Sequence, residues 1–324
     1  MVKKILITGG AGYIGSHITE ILRNNKKEIF IADNLSTGFK ELINKDAKFF
    51  KVNIHNVKKL RKIIIENNID SVIHLAASLI VGKGEKNPKS YYKNNVLGTK
   101  KVLSAIKETS VKNFIFSSTA AVYKDGLNKV SENSKILPKS VYGKTKLKAE
   151  NLIINNCKKN KINFVILRYF NVVGASPYGK IGLINKGDHL FKNFSIQLSK
   201  KNPIFKIYGT NYATLDGTCI RDFIHVSDIS EIHYKVLEKI NKSKKSKILN
   251  CGYGKGISVY QVVNEFKKHA KKNLKIIDLP RRKGDMASII AINKNLHKFI
   301  KWKPKFNKLS FMVKSCLRWE KFTK

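Results

Sequence analysis

The chain has 324 residues, 42% of them hydrophobic, with 64 Lys and Arg against 22 Asp and Glu, a formal charge of +42. That hydrophobic share excludes a disordered chain, and no apolar run approaches the roughly 20 residues that span a bilayer. The charge rests on 57 lysines and only 7 arginines, spread from Lys3 to Lys324. This fits a basic solvated surface better than a nucleic-acid reader built on arginine forks, so no specific nucleic-acid or membrane partner is expected. Ile5 to Thr8 is too short for a secretory apolar region. Cys157, Cys219, Cys251 and Cys316 are widely spaced and read as reduced, buried thiols of a cytoplasmic protein, with no metal site.

In chain order, Ile5–Thr8 is an apolar run entering a Gly-rich turn, and Tyr13 to about Asn25 is helical. Strands follow at 29–32, ending at Asp33, and at 49–52. A helix over 57–66 leads to a strand at 71–75. A long helix over 91–108 precedes a strand at 114–117, and a helix from Tyr142 to about Lys159 precedes one at 164–167. Strands alternating with helices predict an α/β fold, a doubly wound and mainly parallel sheet, with ligands at the strands' carboxyl ends. After Asn171 the alternation stops. The segment 174–187 reads as loop, and helices are expected over 227–240, 258–270 and 308–320. The expected division is a cofactor-binding unit over 1–172, with 218–241 returning to it, and a smaller mixed α/β unit over 173–324 that holds the substrate.

Gly9, Gly12 and Gly15 form G-x-x-G-x-x-G directly after a strand and at the opening of a helix. Such glycines let the backbone approach a pyrophosphate, which the helix N-terminus stabilises. Asp33, about 20 residues on, can accept bonds from an adenosine ribose and would repel a 2′-phosphate, which favours NAD.

Tyr142 and Lys146 are spaced Y-x-x-x-K, on one face of a helix. With 12 tyrosines and 57 lysines, about two such pairs are expected by chance, but this is the only one, and it opens the helix after the strand ending in Ser117, Ser118 and Thr119. A phenol is a weak base at neutral pH. A neighbouring ammonium and a positive nicotinamide would favour phenolate, and Thr119 could relay the substrate proton.

At this point the chain resembles the UDP-glucose 4-epimerase family, within the extended short-chain dehydrogenases of Rossmann fold. The resemblance runs from Ile5 to about Trp302. It is carried by TGGAGYIGSH at 8–17, DNLSTG at 33–38, HLAA at 74–77, YYKNNVLGT at 91–99, FIFSSTAAVY at 114–123, SVYGKTKL at 140–147 and LRYFNVVGA at 167–175. DHL at 188–190, DGTCIRDFIHVSD at 216–228 and RRKGD at 281–285 complete it. The resemblance implies that Gly9, Gly12, Tyr13, Ile14, Gly15, Asp33, Asn34, Ser36, Thr37, Gly38, Asn53 and Ile54 line the adenosine and pyrophosphate. Leu75, Ala76, Ala77 and Asn94 would line the middle of NAD, with Ser117, Tyr142, Lys146 and Tyr169 around the nicotinamide. Thr119, Tyr142, Asn171, His189, Leu190, Tyr208, Arg221, Arg282, Asp285 and Ile289 would meet a UDP-sugar. The implied reaction removes a hydride and a proton from sugar C4 and returns the hydride to the opposite face, with Tyr142 as base. A homodimer is implied, paired through the helices starting at Tyr91 and Tyr142.

Some positions depart from the family. Asn53 stands where Asp is frequent, Leu79 where some members have Lys, and Ala291 to Asn293 lacks an Asp that many carry. Ala120 and Ala121 follow Thr119 where sugar-nucleotide 4,6-dehydratases carry an acid pair, which argues against dehydration. Epimerisation of a UDP-N-acetylhexosamine or UDP-pentose stays open. A non-catalytic nucleic-acid module on the same scaffold is disfavoured by the intact Thr119, Tyr142 and Lys146.

Overall fold

The structure is a computed structural model, and it describes residues 3–184, 189–270, 273–282 and 285–322. Its first half runs β1 (Lys4–Thr8), α1 (Tyr13–Asn24), β2 (Glu28–Asp33), β3 (Lys48–Lys51), α2 (Val57–Glu66), β4 (Ser71–His74), α3 (Val81–Lys86) and α4 (Pro88–Tyr91). A π-helical turn (Tyr92–Leu97), α5 (Gly98–Ile106), β5 (Asn113–Thr119), β6 (Lys129–Val130), α6 (Val141–Lys159) and β7 (Asn163–Tyr169) follow. The rest comprises β8 (Asn171–Val173), α7 (Leu190–Leu198), β9 (Ile204–Tyr208), β10 (Ile220–Arg221), β11 (Phe223–His225) and α8 (Val226–Ser243). It ends with β12 (Lys247–Cys251), β13 (Ile257–Ser258), α9 (Val259–Lys267), β14 (Lys275–Leu279), β15 (Ser288–Ala291), α10 (Lys294–Ile300) and α11 (Leu309–Phe322).

The main sheet has seven parallel strands in the order β12-β7-β5-β4-β1-β2-β3. Period-2 alternation sends its side chains to two cores. Ile5 and Ile7 join the core under α1 and α8, while Leu6 joins the one under α2, α5 and α6. The chain reverses its winding between β1 and β4, so the crevice of a doubly wound sheet opens beyond Thr8 and His74. A four-stranded sheet, β13-β10-β15-β6, and the pairs β8–β11 and β9–β14 lie outside it. A third core, with Phe191, Phe194, Phe205 and Phe266, fills this later part.

Two features differ from the sequence reading. The helix expected over 91–108 starts earlier, at Pro88 under an Asn87 cap, and is interrupted by the π-helical turn. The widened turn brings two consecutive side chains to one residue: Asn94 Nδ2 donates to Ser78 Oγ (3.0 Å), and Asn95 Oδ1 accepts from Ser78 N (2.7 Å). The seventh strand, β12, comes from the stretch assigned to the smaller unit and pairs with β7.

Candidate functional site

The glycine loop is built for close approach. Gly9 has φ +76°, and a Cβ there would lie 2.7 Å from Ala76 N. Gly12 caps α1 with no side-chain hydrogen bond, which leaves the first-turn amides facing the crevice. A Cβ on Gly15 would sit 2.5 Å from Gly9 O, so this glycine lets helix and loop pack. Ile14 packs against the core, and Tyr13 donates to Gly174 O (2.6 Å).

At the end of β2, the Asp33 carboxylate accepts from Ala11 N (3.1 Å) and Leu35 N (2.8 Å), beside Gly38. Ser36 N donates to Asn34 Oδ1 (3.0 Å), forming the bend that carries Thr37 and Gly38. Asn53 Oδ1 accepts from His55 N (3.0 Å), and Ile54 is buried beside it. Leu75, Ala76 and Ala77 follow β4, half-buried, and a Cβ on Gly9 would touch the first two.

The catalytic candidates converge where β5 ends. Ser140 caps α6 by accepting from Gly143 N (3.1 Å). A Cβ on Gly143 would lie 2.3 Å from Ala121 O, so glycine lets the first turn of α6 press against the turn after Thr119. Tyr142 is thereby brought beside the Thr119 side chain, which favours its phenolate. Lys146 Nζ donates to Ser117 O (2.7 Å) and lies 4.6 Å above the Phe116 ring.

Burial dominates the electrostatics of this pair. Burial pushes the Tyr142 phenol up to about 12, the Thr119 side chain opposes this, and Tyr91 adds to it. Burial pulls Lys146 itself down to about 7, with Glu150 acting the other way. For Tyr142, desolvation outweighs the Thr119 side chain in the protein by itself. Tyr169 donates its hydroxyl to His233 Nε2 (2.8 Å), whose Nδ1 bonds Ile229 O.

The expected substrate residues gather on the facing side. Arg282 stacks over the Tyr208 ring (3.8 Å), Asp285 N donates to Arg282 O (3.2 Å), and Arg221 lies 3.7 Å from Asp285 Oδ1. Ile289 is Arg221's register partner and packs with Ala120 and Val122 beside Thr119. His189 Nε2 bonds Val172 O (2.9 Å), Leu190 opens α7, and Asn171 is exposed at the start of β8. Asp188, Lys283 and Gly284 of the motifs lie outside the described residues.

Against known proteins, the family model for the NAD dependent epimerase/dehydratase family matches residues 5–252. The chain belongs to this family. It is 37% identical over 320 residues to a UDP-glucose 4-epimerase of Halalkalibacterium halodurans, covering 98% of this chain and 95% of that one. A UDP-glucose 4-epimerase from Stenotrophomonas maltophila, solved with NAD and formylated UDP-arabinopyranose, superposes with a TM-score of 0.94 at 29% identity, covering 99% and 98% of the two chains. The UDP-Glc/GlcNAc 4-epimerase of Campylobacter jejuni is 36% identical with a TM-score of 0.85, covering 99% of each.

As a member of the NAD-dependent epimerase/dehydratase family, the chain also uses residues that the sequence reading missed. Arg281 stacks over Tyr212 (4.2 Å) and donates to Asn211 Oδ1 (2.7 Å), holding the loop after Tyr208. Glu150 and Arg168 form a buried bidentate pair beneath Lys146. Their signals were a carboxylate four residues after Lys146 and an arginine where arginines are scarce.

Proposed function

We propose that this protein is an NAD-dependent 4-epimerase that interconverts UDP-glucose and UDP-galactose. The observation that carries the reading is the placing of Tyr142 beside the Thr119 side chain at the carboxyl edge of β5, followed by a turn of Ala120, Ala121 and Val122. A hydroxyl and a phenol can move the C4 proton. A methyl side chain can neither give nor take one, which disfavours dehydration.

The residues fit the cofactor. The cradle that a Cβ would fill at Gly9, the bare helix N-terminus at Gly12 and the carboxylate fixed at Asp33 suit a pyrophosphate and an unphosphorylated ribose. Asn34, Ser36, Thr37, Gly38, Asn53, Leu75, Ala76, Ala77, Asn94, Ser117 and Tyr169 complete the assigned lining. Bound NAD supplies a reversible two-electron acceptor and a positive charge. Tyr142 holds and returns the C4 hydroxyl proton, Thr119 passes it, and the Lys146 ammonium, with the positive nicotinamide, favours the Tyr142 phenolate. Arg221 and Arg282 hold the diphosphate, since planar guanidinium forks suit phosphate oxygens. Tyr208, Asp285, Asn171, His189 and Leu190 hold the rest of the nucleotide.

We assign cofactor binding to 1–172 with 218–241, supported by the packing of α8 on α1. A homodimer through the helices starting at Tyr91 and Tyr142 is supported by Leu97, 50% exposed on that face; the mass of a single chain in light scattering would refute it. A cytoplasmic location is supported by four free, buried cysteines. No helix among the described residues is long and apolar enough to cross a membrane. The basic surface binds nucleic acid at most without sequence preference.

The test is a panel of UDP-hexoses, UDP-N-acetylhexosamines and UDP-pentoses with products read by NMR. The reading expects UDP-glucose and UDP-galactose to turn over fastest. Turnover confined to N-acetyl or pentose forms would replace the proposed sugar.

A further inference from the structure

Below the catalytic face lies a buried charge system that the reaction does not itself require. Lys146 and Glu150 are four residues apart on α6, so they share a helix face. Both are 1% exposed, and Arg168, on β7, is 4% exposed. Arg168 Nε donates to Glu150 Oε1 (3.0 Å) and Nη2 to Oε2 (2.7 Å), and Ser118 Oγ donates a short bond to Oε1. Three consecutive residues of β5 therefore have separate duties. Ser117 receives the Lys146 ammonium through its carbonyl, Ser118 fixes Glu150, and Thr119 sits beside Tyr142. The far end is anchored too. Arg168 Nη1 donates to Tyr123 Oη (3.1 Å), Tyr123 to Asn250 Oδ1 (2.6 Å), and Asn250 Nδ2 to Val130 O (2.9 Å).

Resting on the epimerase reading, we propose that Glu150, clamped by Ser118 and Arg168, is a positioning residue that keeps the Lys146 ammonium charged and fixed at the Ser117 carbonyl. The direct partners of that ammonium, a carbonyl and the Phe116 ring, are both neutral. A buried ammonium without a nearby anion loses its proton. The groups facing Lys146 are Tyr142 and Glu150 on its own helix, His74 on β4, and Arg168 on β7. Tyr142 is neutral, and burial pulls His74 down to about 3, which leaves it neutral as well. Arg168 spends its charge on both oxygens of Glu150. Glu150 is therefore the anion that acts on Lys146, and the two Arg168 hydrogen bonds fix its place.

Glu150→Gln strands the Arg168 charge and is expected to weaken the fold, so the informative variant is Glu150→Leu with Arg168→Met, which removes both charges together. The NAD-loaded protein is labelled with 13C at lysine Cε and titrated by NMR, and the Lys146 signal is identified by its loss in Lys146→Met. The expected result is a Lys146 midpoint lower by about one pH unit or more in the folded double variant. The alkaline limb of kcat should move by the same amount, with KM little changed. A folded double variant with an unmoved midpoint overturns the proposal, because a merely structural clamp would leave that titration alone. Should the wild type fail to epimerise any UDP-sugar, the function is misread, and the NMR midpoint still decides the role of Glu150.

Discussion

Tyr142 is the residue to which we assign the proton transfer, and burial holds its phenol neutral. With the phenol up near 12, it needs a positive charge close by before it can take a proton at neutral pH. Tyr142→Phe should keep the fold and bound NAD and lower kcat by about 10²-fold or more; turnover equal to wild type would remove Tyr142 as the proton acceptor. We propose that Ile289, 3% exposed and packed beside Ala120, walls the sugar and limits its range. An added N-acetyl group overpacks such a wall by roughly 1–3 kcal/mol, about tenfold to a hundredfold in kcat/KM. Ile289→Ala should narrow the preference for UDP-glucose over its N-acetyl form and Ile289→Tyr should widen it. Equal ratios in all three proteins would show that Ile289 does not wall the sugar. The spacing of Tyr142 and Lys146 was legible in the sequence. The direction of the Tyr142 shift was not, because burial depends on how α6 meets β5.

Among the elements, legibility followed periodicity. The first six strands of the main sheet and the helices between them were readable because apolar runs and amphipathic stretches alternate there. β12 was missed because Lys247–Cys251 follows a lysine-rich turn and lacks a helix of the expected spacing before the next strand. The short strands β6, β8, β10 and β13, two or three residues each, carry no period to read. The π-helical turn was invisible for another reason: it answers a contact with Ser78, not a local preference. The meeting of α6 with the turn after β5 rests on Gly143. Gly143→Ala would push a methyl to 2.3 Å from Ala121 O, so α6 must move away from Thr119. A displacement near 1 Å costs roughly 10²-fold in rate. The expected outcome is a folded, NAD-binding protein with kcat at least tenfold lower, whereas wild-type kcat would mean the close approach is not needed.

For the whole molecule, buried histidines set the response to acid. Burial pulls His17 and His233 down to about 4 and His74 and His225 down to about 3, against 6.5 for a free imidazole. Between pH 6.5 and about 4 the unfolded chain therefore binds protons that the native protein refuses, and stability falls as pH falls. Asp222 opposes this, since burial raises it to about 6 and the native state takes its proton first. Glu20 and Asp228 are raised by burial as well, while His55 and His189 are lowered with the other four, so six histidines outweigh three carboxyls and the urea midpoint should drop from pH 7 to pH 5; a midpoint that stays level or rises would contradict the neutral histidines. The family and the twofold winding of the sheet were legible in the glycine loop and the Tyr142 motif. In the later half the helices α8, α9 and α11 were legible, but the strands were not, because their order comes from contacts such as Arg221 with Asp285 and not from a repeating pattern.

The most direct test of the whole account is to incubate the protein as purified, with no added cofactor, with UDP-galactose and to follow the anomeric protons by NMR. The account predicts that bound NAD is found on denaturation, that UDP-glucose accumulates until the two sugars reach equilibrium, and that Tyr142→Phe leaves UDP-galactose unconverted. UDP-galactose unchanged by NAD-loaded wild-type protein, or a 4-keto-6-deoxy product in place of UDP-glucose, would contradict it.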